Sequence, residues 1–129
     1  VVGLGMGKHH CRSIQDVQDA RLVAVCDLDE ERLHPVAKQH GCRAYTRFGE
    51  VLKDDEVQVV NIATPSGTHA DLGIEVMDSG RHLIVEKPAD IKADRIDALA
   101  EAGEWNGVKV ACIFQSRLEP LNRRIMETI

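Results

Sequence analysis

The chain has 129 residues, of which 43% are hydrophobic and 29% charged, and its formal net charge is −5 at pH 7. This size and composition are those of one domain that can bury a core of its own. The negative charge and the lack of a basic block argue against a nucleic-acid partner, because phosphate binding needs a clustered basic surface. No apolar run approaches the roughly 20 residues that span a bilayer, and no leader is visible, so we expect a cytoplasmic protein with a small-molecule ligand and no membrane partner.

Nothing in the cysteine and histidine spacing predicts a metal site. The four cysteines, Cys11, Cys26, Cys42 and Cys112, are widely spaced and form no CxxC pair, so we expect reduced, structural thiols. His9 and the next histidine are adjacent, and adjacent positions on a helix point about 100° apart and rarely share one ion. We expect both histidines near the first helical turn instead.

Short β-branched runs alternate with stretches of helical period along the chain, which is typical of βαβ units and a parallel sheet. The predicted strands cover residues 1–2, 21–27, 42–45, 57–63, 82–85 and 108–114. Glycines at positions 41, 80 and 107 follow the helices that connect them. Three of the predicted helices carry an apolar stripe expected to face the core: Leu33, Val36, Ala37 and His40; Ala70, Gly73, Ile74 and Met77; Ile96, Leu99, Ala100 and Gly103.

Both ends of the sequence predict a piece of a longer protein. There is no initiator methionine, and only two residues precede the first glycine, whereas a strand usually needs about five. The other end falls inside a predicted helix, residues 121–129, that has no capping residue. Any activity inferred from this chain therefore belongs to its parent.

The first functional signal is a glycine loop between the first strand and the first helix, in which Gly3, Gly5 and Gly7 alternate with other residues. Such a loop lets a dinucleotide pyrophosphate approach backbone N–H groups at the helix N-terminus. Compared with GxGxxG, the third glycine position falls on Lys8 and Gly7 comes one place early, so a plain structural turn stays an alternative. The expected cofactor contacts in this loop are Gly3, Gly5, Met6, Gly7, Lys8 and His9.

The second signal is Asp27, which ends the second predicted strand 22 positions after Gly5. This spacing matches the roughly 20 residues expected for the carboxylate that binds the adenosine ribose. The next four residues, Leu28-Asp29-Glu30-Glu31, follow with no arginine expected nearby that could pair with a 2′-phosphate. NAD is therefore favoured over NADP, although Asp27 could simply end the strand and Asp29 is expected to cap the next helix.

A glycine loop followed by an acidic residue is also typical of S-adenosylmethionine methyltransferases, so two later loops must decide. Thr64-Pro65-Ser66-Gly67-Thr68-His69 follows the fourth strand and Glu86-Lys87-Pro88 follows the fifth. In open α/β sheets both loops lie at the carboxyl edge, over the ligand crevice. Together with the glycine loop, they resemble the glucose-fructose oxidoreductase and inositol dehydrogenase (Gfo/Idh/MocA) family over the whole chain.

The resemblance implies a Rossmann domain, a doubly wound parallel sheet with helices on both faces, over residues 1–114. Residues 115–129 would connect it to a second, substrate-binding domain that this chain lacks and through which the protein would form a homo-oligomer. The segment Phe114-Gln115-Ser116-Arg117-Leu118-Glu119-Pro120 is similar to sugar-nucleotide members such as UDP-N-acetylglucosaminuronate 3-dehydrogenases.

The resemblance also assigns roles to individual residues. Lys87 would reach the nicotinamide and the reacting hydroxyl, so it would be a catalytic residue that contacts both the cofactor and the substrate. Glu86 would contact the nicotinamide-side ribose. Arg117 would pair with an anionic substrate group or form a salt bridge between domains. The remaining expected cofactor contacts are Thr64, Pro65, His69 and Gln115, although His69 could be a helix-start residue without a ligand.

The function expected from these residues is hydride transfer between NAD and a hydroxyl-bearing carbon of a sugar, inositol or sugar nucleotide. The general base would lie in the second domain, so this chain should bind NAD without turnover. A non-enzymatic NAD(P) sensor of the same fold is the alternative, and a methyltransferase is a more distant one.

Overall fold

Five short parallel strands form the centre of the molecule in the computed structural model, which describes residues 1–128. The strands are β1 (Ala24–Cys26), β2 (Arg43–Tyr45), β3 (Val59–Ile62), β4 (His82–Val85) and β5 (Val110–Cys112). In sheet order they run β2-β1 and β3-β4-β5, and Val2 joins the two groups by parallel bridges to Cys26 of β1 and Ile62 of β3. Backbone hydrogen bonds of 2.8 Å, from Val2 to Asn61 and from Cys26 to Val1, complete this junction.

Helices cover both faces of the sheet, which confirms the doubly wound α/β prediction. Leu4 and Leu33 pack with Val25 on one face, while Ala70 and Leu99 pack with the strand residues on the other. The helices are α1 (Leu4–Gln15), α2 (Glu30–His40), α3 (Phe48–Val51), α4 (His69–Asp78), α5 (Ala93–Asn106) and α6 (Pro120–Thr128). Within residues 1–128, no helix is both long and apolar enough to cross a membrane.

Helix ends follow the predicted capping residues. The Asp29 side chain accepts hydrogen bonds from the backbone of Glu31 and Arg32 at the start of α2. Gly41 and Gly107 end α2 and α5 in the left-handed region, each with φ of 64°. The last predicted helix begins at Pro120, and its final predicted residue, Ile129, lies outside the described residues.

The predicted apolar stripe of α5 is only partly correct. Leu99 and Gly103 are buried, but Ile96 is 39% exposed and Ala100 is also exposed. The reason is the position of α5, which packs on α4 and lies beside β5, the last strand in the sheet order. Only a narrow strip of its surface therefore faces the sheet. Leu99 fills the space beside Gly73, where an added Cβ would lie 2.6 Å from its Cδ1 atom.

Candidate functional site

The loops with the predicted site residues meet at the carboxyl edge of the sheet, because every strand pairing described is parallel. The glycine loop follows Val2, and Asp27 follows β1. Thr64 and Glu86 come after β3 and β4, and Gln115 comes three residues after β5. The fold thus brings residues from five separate segments to one edge.

The three glycines of the loop meet three different environments. Gly3 has φ of 83°, and a Cβ there would lie 2.8 Å from the backbone of Ala63. A Cβ on Gly7 would lie 2.8 Å from Val1 Cγ1, so Gly7 allows α1 to pack on the sheet. Around Gly5 there is no atom within 4 Å of a Cβ position. Gly5 therefore faces open space at the start of α1, where a ligand can approach the backbone.

The third glycine of the loop, Gly7, packs on the sheet one place before the position that GxGxxG gives it, where this chain has Lys8. Gly7 is the residue buried against the sheet, and Lys8 is exposed. The helix begins at Leu4, so its packed face reaches the sheet one residue earlier than the GxGxxG pattern assumes. Met6, 59% exposed, and His9 also lie on the open side of α1.

Asp27 is fixed at the end of β1 by two backbone hydrogen bonds. Its Oδ2 accepts from the N–H of Leu4 at 2.7 Å, and its Oδ1 accepts from the N–H of Asp29 at 2.9 Å. The Asp27 side chain is 10% exposed. A carboxylate with a second lone pair on each oxygen is therefore held directly beside the glycine loop.

The expectation that no arginine adjoins Asp27 is wrong. Arg32, in the first turn of α2, places Nη1 3.5 Å from Asp27 Oδ2 and Nη2 2.9 Å from Asp29 Oδ2. The four residues after Asp27 contain no arginine, but one helical turn brings the fifth back towards the strand end. This corner of the site therefore carries two carboxylates and one guanidinium group.

On the other side of α1, Glu86 is held by two hydrogen bonds. His10 Nε2–H donates to its Oε1 at 3.0 Å, and the backbone N–H of Lys87 donates to its Oε2 at 2.9 Å. The second ring nitrogen of His10, Nδ1, lies within hydrogen-bond distance of the side-chain oxygen Oδ1 of Asn61, at 2.9 Å. Sequence reasoning placed His10 at the first helical turn and missed these partners. The available signal was its spacing from Gly7, since residues three apart share a helix face.

Lys87 follows Glu86 and precedes Pro88 through a cis peptide bond, and its side chain is exposed. Thr64, on the neighbouring loop, shares a hydrogen bond of 2.8 Å with the Thr68 hydroxyl. Pro65 is exposed, and its carbonyl accepts a hydrogen bond from the same hydroxyl at 2.8 Å. The Thr64 and Lys87 loops therefore both place polar groups at the carboxyl edge of the sheet.

His69 connects these two loops from below. Its side chain is buried, with Nδ1 2.7 Å from the Pro88 carbonyl oxygen and Nε2 2.8 Å from the Thr64 carbonyl oxygen. Both ring nitrogens are engaged inside the protein, so this ring positions the loops and does not face the crevice. Its role as a cofactor contact stays a prediction that only its backbone can fulfil.

Asp90 also connects the loop after β4 to the start of α4. Its carboxylate accepts hydrogen bonds from the backbone N–H groups of Ala70, Ile91 and Lys92. Burial raises the pKa of Asp90, but these three hydrogen bonds outweigh burial and hold the pKa below its usual value. The segment after Pro88 is therefore tied to the first turn of α4.

The last predicted site residues lie in a short 3₁₀ turn, Gln115–Leu118, after β5. Gln115 and Arg117 are both exposed. The guanidinium carbon of Arg117 lies 5.2 Å from the centre of the Phe114 ring, a cation–π distance. Both of its expected partners, an anionic substrate and a second domain, stay predictions.

Two features lie apart from this edge. A cavity of about 360 Å³ opens at the opposite, amino edge of the sheet, where Val1, Leu22 and Val60 are among its lining residues. The four cysteines are free, and burial raises the pKa of the Cys26 thiol to about 11. A thiol with that pKa stays protonated near neutral pH, so Cys26 is a packing residue.

Comparisons with known proteins agree on one family. A family model described as an oxidoreductase family with an NAD-binding Rossmann fold matches residues 1–114. An inositol 2-dehydrogenase from Rubrobacter xylanophilus is 34% identical to this chain over 132 residues, which cover 100% of this chain and 38% of that protein.

Solved structures give the same result. GenD2 from gentamicin A biosynthesis, in complex with NAD, is 33% identical with a TM-score of 0.94, and the match covers 98% of this chain and 37% of GenD2. The WlbA dehydrogenase from Bordetella pertussis, in complex with NADH and UDP-GlcNAcA, is 28% identical with a TM-score of 0.93, covering 98% and 40%. This chain therefore spans roughly two fifths of its relatives. It belongs to the Gfo/Idh/MocA oxidoreductase family and has that family's NAD-binding Rossmann fold.

Proposed function

We propose that this chain binds NAD across the carboxyl edge of its sheet and is the cofactor half of a dehydrogenase that acts on a sugar, an inositol or a sugar nucleotide. The single observation that carries the proposal is the position of Gly5. It faces open space at the N-terminus of α1, with a fixed carboxylate on each side, Asp27 and Glu86. A dinucleotide has a ribose on each side of its pyrophosphate, and this arrangement fits both.

The first turn of α1 would bind the pyrophosphate. The first N–H groups of a helix lack intrahelical partners, and Leu4 already donates its N–H to Asp27. The N–H groups of Gly5 and Met6 would serve the pyrophosphate, with the positive end of the helix dipole behind them. Lys8 and His9 would add polar contacts from the open side of α1.

Two sides of the site can then be distinguished. We call residues 3–7 with Asp27 and Arg32 the adenosine side, because Asp27 would accept hydrogen bonds from the adenosine ribose. We call His10, Glu86 and Lys87 the nicotinamide side, because Glu86 would accept hydrogen bonds from the second ribose. Thr64, Pro65 and Gln115 would border the nicotinamide side, and His69 would support it from below.

NAD is the preferred cofactor in this proposal. A 2′-phosphate would lie beside two carboxylates, Asp27 and Asp29, and only one guanidinium group, Arg32. That guanidinium group already pairs with both carboxylates, so repulsion would outweigh attraction. Arg32 would therefore weaken the preference for NAD over NADP without reversing it.

Lys87 is the residue of this chain proposed to act in the reaction. When bound, NAD supplies the hydride acceptor or donor at C4 of its nicotinamide ring. The exposed ammonium group of Lys87 would donate a hydrogen bond to the substrate oxygen and orient it. Arg117 would pair with an anionic substrate group, as in a sugar acid or nucleotide. The general base would come from the rest of the parent protein, so this chain should bind NAD without turnover.

Two parts of the proposal concern the parent protein. A cytoplasmic location is supported by four free cysteines, which suit a reducing compartment. The parent would be a homo-oligomer assembled through the region beyond this chain. That region would also cover apolar side chains exposed after β5, such as Phe114 and Leu118.

Calorimetry with NAD and with S-adenosylmethionine tests the proposal. We expect NAD to bind and S-adenosylmethionine not to bind, and the reverse result would contradict the dehydrogenase assignment.

Asp27→Ala should weaken NAD binding by about tenfold or more, because a charged hydrogen bond to the ribose is lost. Asp27→Asn keeps an acceptor for the Leu4 N–H and serves as the control for loop geometry. If Asp27→Ala leaves the NAD affinity unchanged, the adenosine ribose does not lie at Asp27.

A further inference from the structure

Two residues of the nicotinamide side form a cluster of three polar side chains with a residue of the sheet. His10 comes from α1, Asn61 from β3 and Glu86 from the loop after β4, and they are separated by 51 and 76 positions from His10 along the chain. The side chains of His10 and Glu86 are each 15% exposed, and Asn61 is 8% exposed. Three different elements thus bring polar groups together in a largely buried place.

The imidazole ring of His10 is held at both nitrogens. Nδ1 lies 2.9 Å from Asn61 Oδ1, within hydrogen-bond distance, and Nε2–H donates to Glu86 Oε1 at 3.0 Å. Asn61 is itself fixed, because its backbone carbonyl accepts the N–H of Val2 at the junction of the sheet. Asn61 therefore fixes the position of the His10 ring relative to β3.

Glu86 gains its orientation from this ring. One carboxylate oxygen accepts from His10 and the other from the Lys87 backbone, so rotation of the carboxylate would break one of the two bonds. A largely buried carboxylate without such donors would turn towards water to become solvated. The close approach of α1 to the sheet at Gly7 keeps His10 within reach of both partners.

We propose that His10, anchored by Asn61, is a positioning residue that orients the Glu86 carboxylate towards the nicotinamide-side ribose. The inference rests on the proposed NAD binding and adds a specific determinant to it. His10 acts through Glu86 and makes no contact with the cofactor, because both of its nitrogens are already occupied.

This role predicts a selective loss. His10→Ala should weaken NADH binding by about tenfold, because Glu86 loses the charge-assisted bond that orients it. Binding of ADP, which lacks the nicotinamide-side ribose, should stay within about twofold. A merely structural role would weaken both ligands equally, because both need the first turn of α1.

Two conservative variants sharpen the test. The amide nitrogen of a glutamine can take the place of Nε2, so His10→Gln should recover most of the NADH affinity. The amide of an asparagine takes the place of Nδ1, so His10→Asn keeps the contact with Asn61 and should bind NADH as weakly as His10→Ala. His34→Ala, on the exposed side of α2, is the control for histidine removal and should change neither affinity.

The experiment is calorimetry of the chain and these variants with NADH and with ADP, together with Glu86→Gln and the double variant His10→Ala/Glu86→Gln. We expect the two single losses to be non-additive, since both act through one carboxylate. Equal loss of NADH and ADP, additive losses, or His10→Gln no better than His10→Asn would each overturn the role of His10. If the unsubstituted chain binds neither NADH nor ADP, the proposed function itself fails.

Discussion

The adenosine side and the nicotinamide side of the site are built in different ways. On the adenosine side, the key hydrogen bond joins Leu4 to Asp27 across 23 positions, within one βαβ unit. On the nicotinamide side, His10 meets Glu86 across 76 positions and three elements. A local unit can be recognised from spacing, whereas a site assembled from distant segments depends on how helices pack on the sheet.

The largest expected effect is a loss of stability on substitution of Gly3 in the glycine loop. Gly3→Ala should lower the free energy of unfolding by about 3 kcal/mol, because a Cβ at φ of 83° would also collide with the Ala63 backbone. Gly41→Ala is the matched control, since Gly41 has φ of 64° with no atom within 4 Å of a Cβ, and should cost about 1 kcal/mol. Urea unfolding measures both. Equal costs would mean that backbone strain alone requires Gly3.

His69→Phe should cause the next largest loss of stability, because His69 connects the Thr64 and Lys87 loops. The carbonyl groups of Thr64 and Pro88 would both lose a buried polar contact, which costs about 2 kcal/mol of stability. His34→Ala, an exposed position, should change the urea midpoint little. An unchanged midpoint in His69→Phe would mean that the two contacts of the ring do not stabilise the fold.

Gly5→Ala should affect the cofactor without affecting the fold. No atom lies within 4 Å of a Cβ there, so the urea midpoint should be unchanged or slightly higher, because alanine favours the helix. The added Cβ would occupy the space proposed for the pyrophosphate and weaken NAD binding by about tenfold or more. Calorimetry checks the affinity. Unweakened NAD binding would place the pyrophosphate elsewhere.

Arg32→Ala should give the smallest effect, confined to the adenosine side. Removing the guanidinium group leaves Asp27 and Asp29 without their shared partner, so NADP affinity should fall a further few-fold at low salt while NAD affinity stays within about twofold. Lys38→Ala, near the other end of α2, controls for loss of a positive charge. If NADP binding rises instead, Arg32 does not attract the 2′-phosphate region.

Sequence periodicity was sufficient for the sheet and for the edge where the site lies. Alternating strands and helices predicted the parallel sheet, and β4 was predicted at its observed bounds, His82–Val85. The predicted helix ends were also correct, because capping is a local property of the backbone. Asp29 caps the start of α2, and Gly41 and Gly107 end α2 and α5.

The errors concern side chains whose neighbours come from elsewhere in the chain. The motif alone did not show that Gly7 packs on the sheet, because this depends on where Val1 meets α1. Ile96 was expected in the core, but α5 covers only a strip beside β5. His10 was missed because its two partners lie on β3 and after β4, and no spacing pattern links them.

Binding of NAD across the carboxyl edge can be followed by amide shifts in a two-dimensional ¹H–¹⁵N NMR titration. We expect shifts on both sides of α1, at Gly5 and Asp27 and also at Glu86 and Lys87. Residues around the cavity at the amino edge, such as Leu22 and Val60, should not shift. Shifts confined to that cavity, or no shift at saturating NAD, would mean that NAD does not bind at this edge.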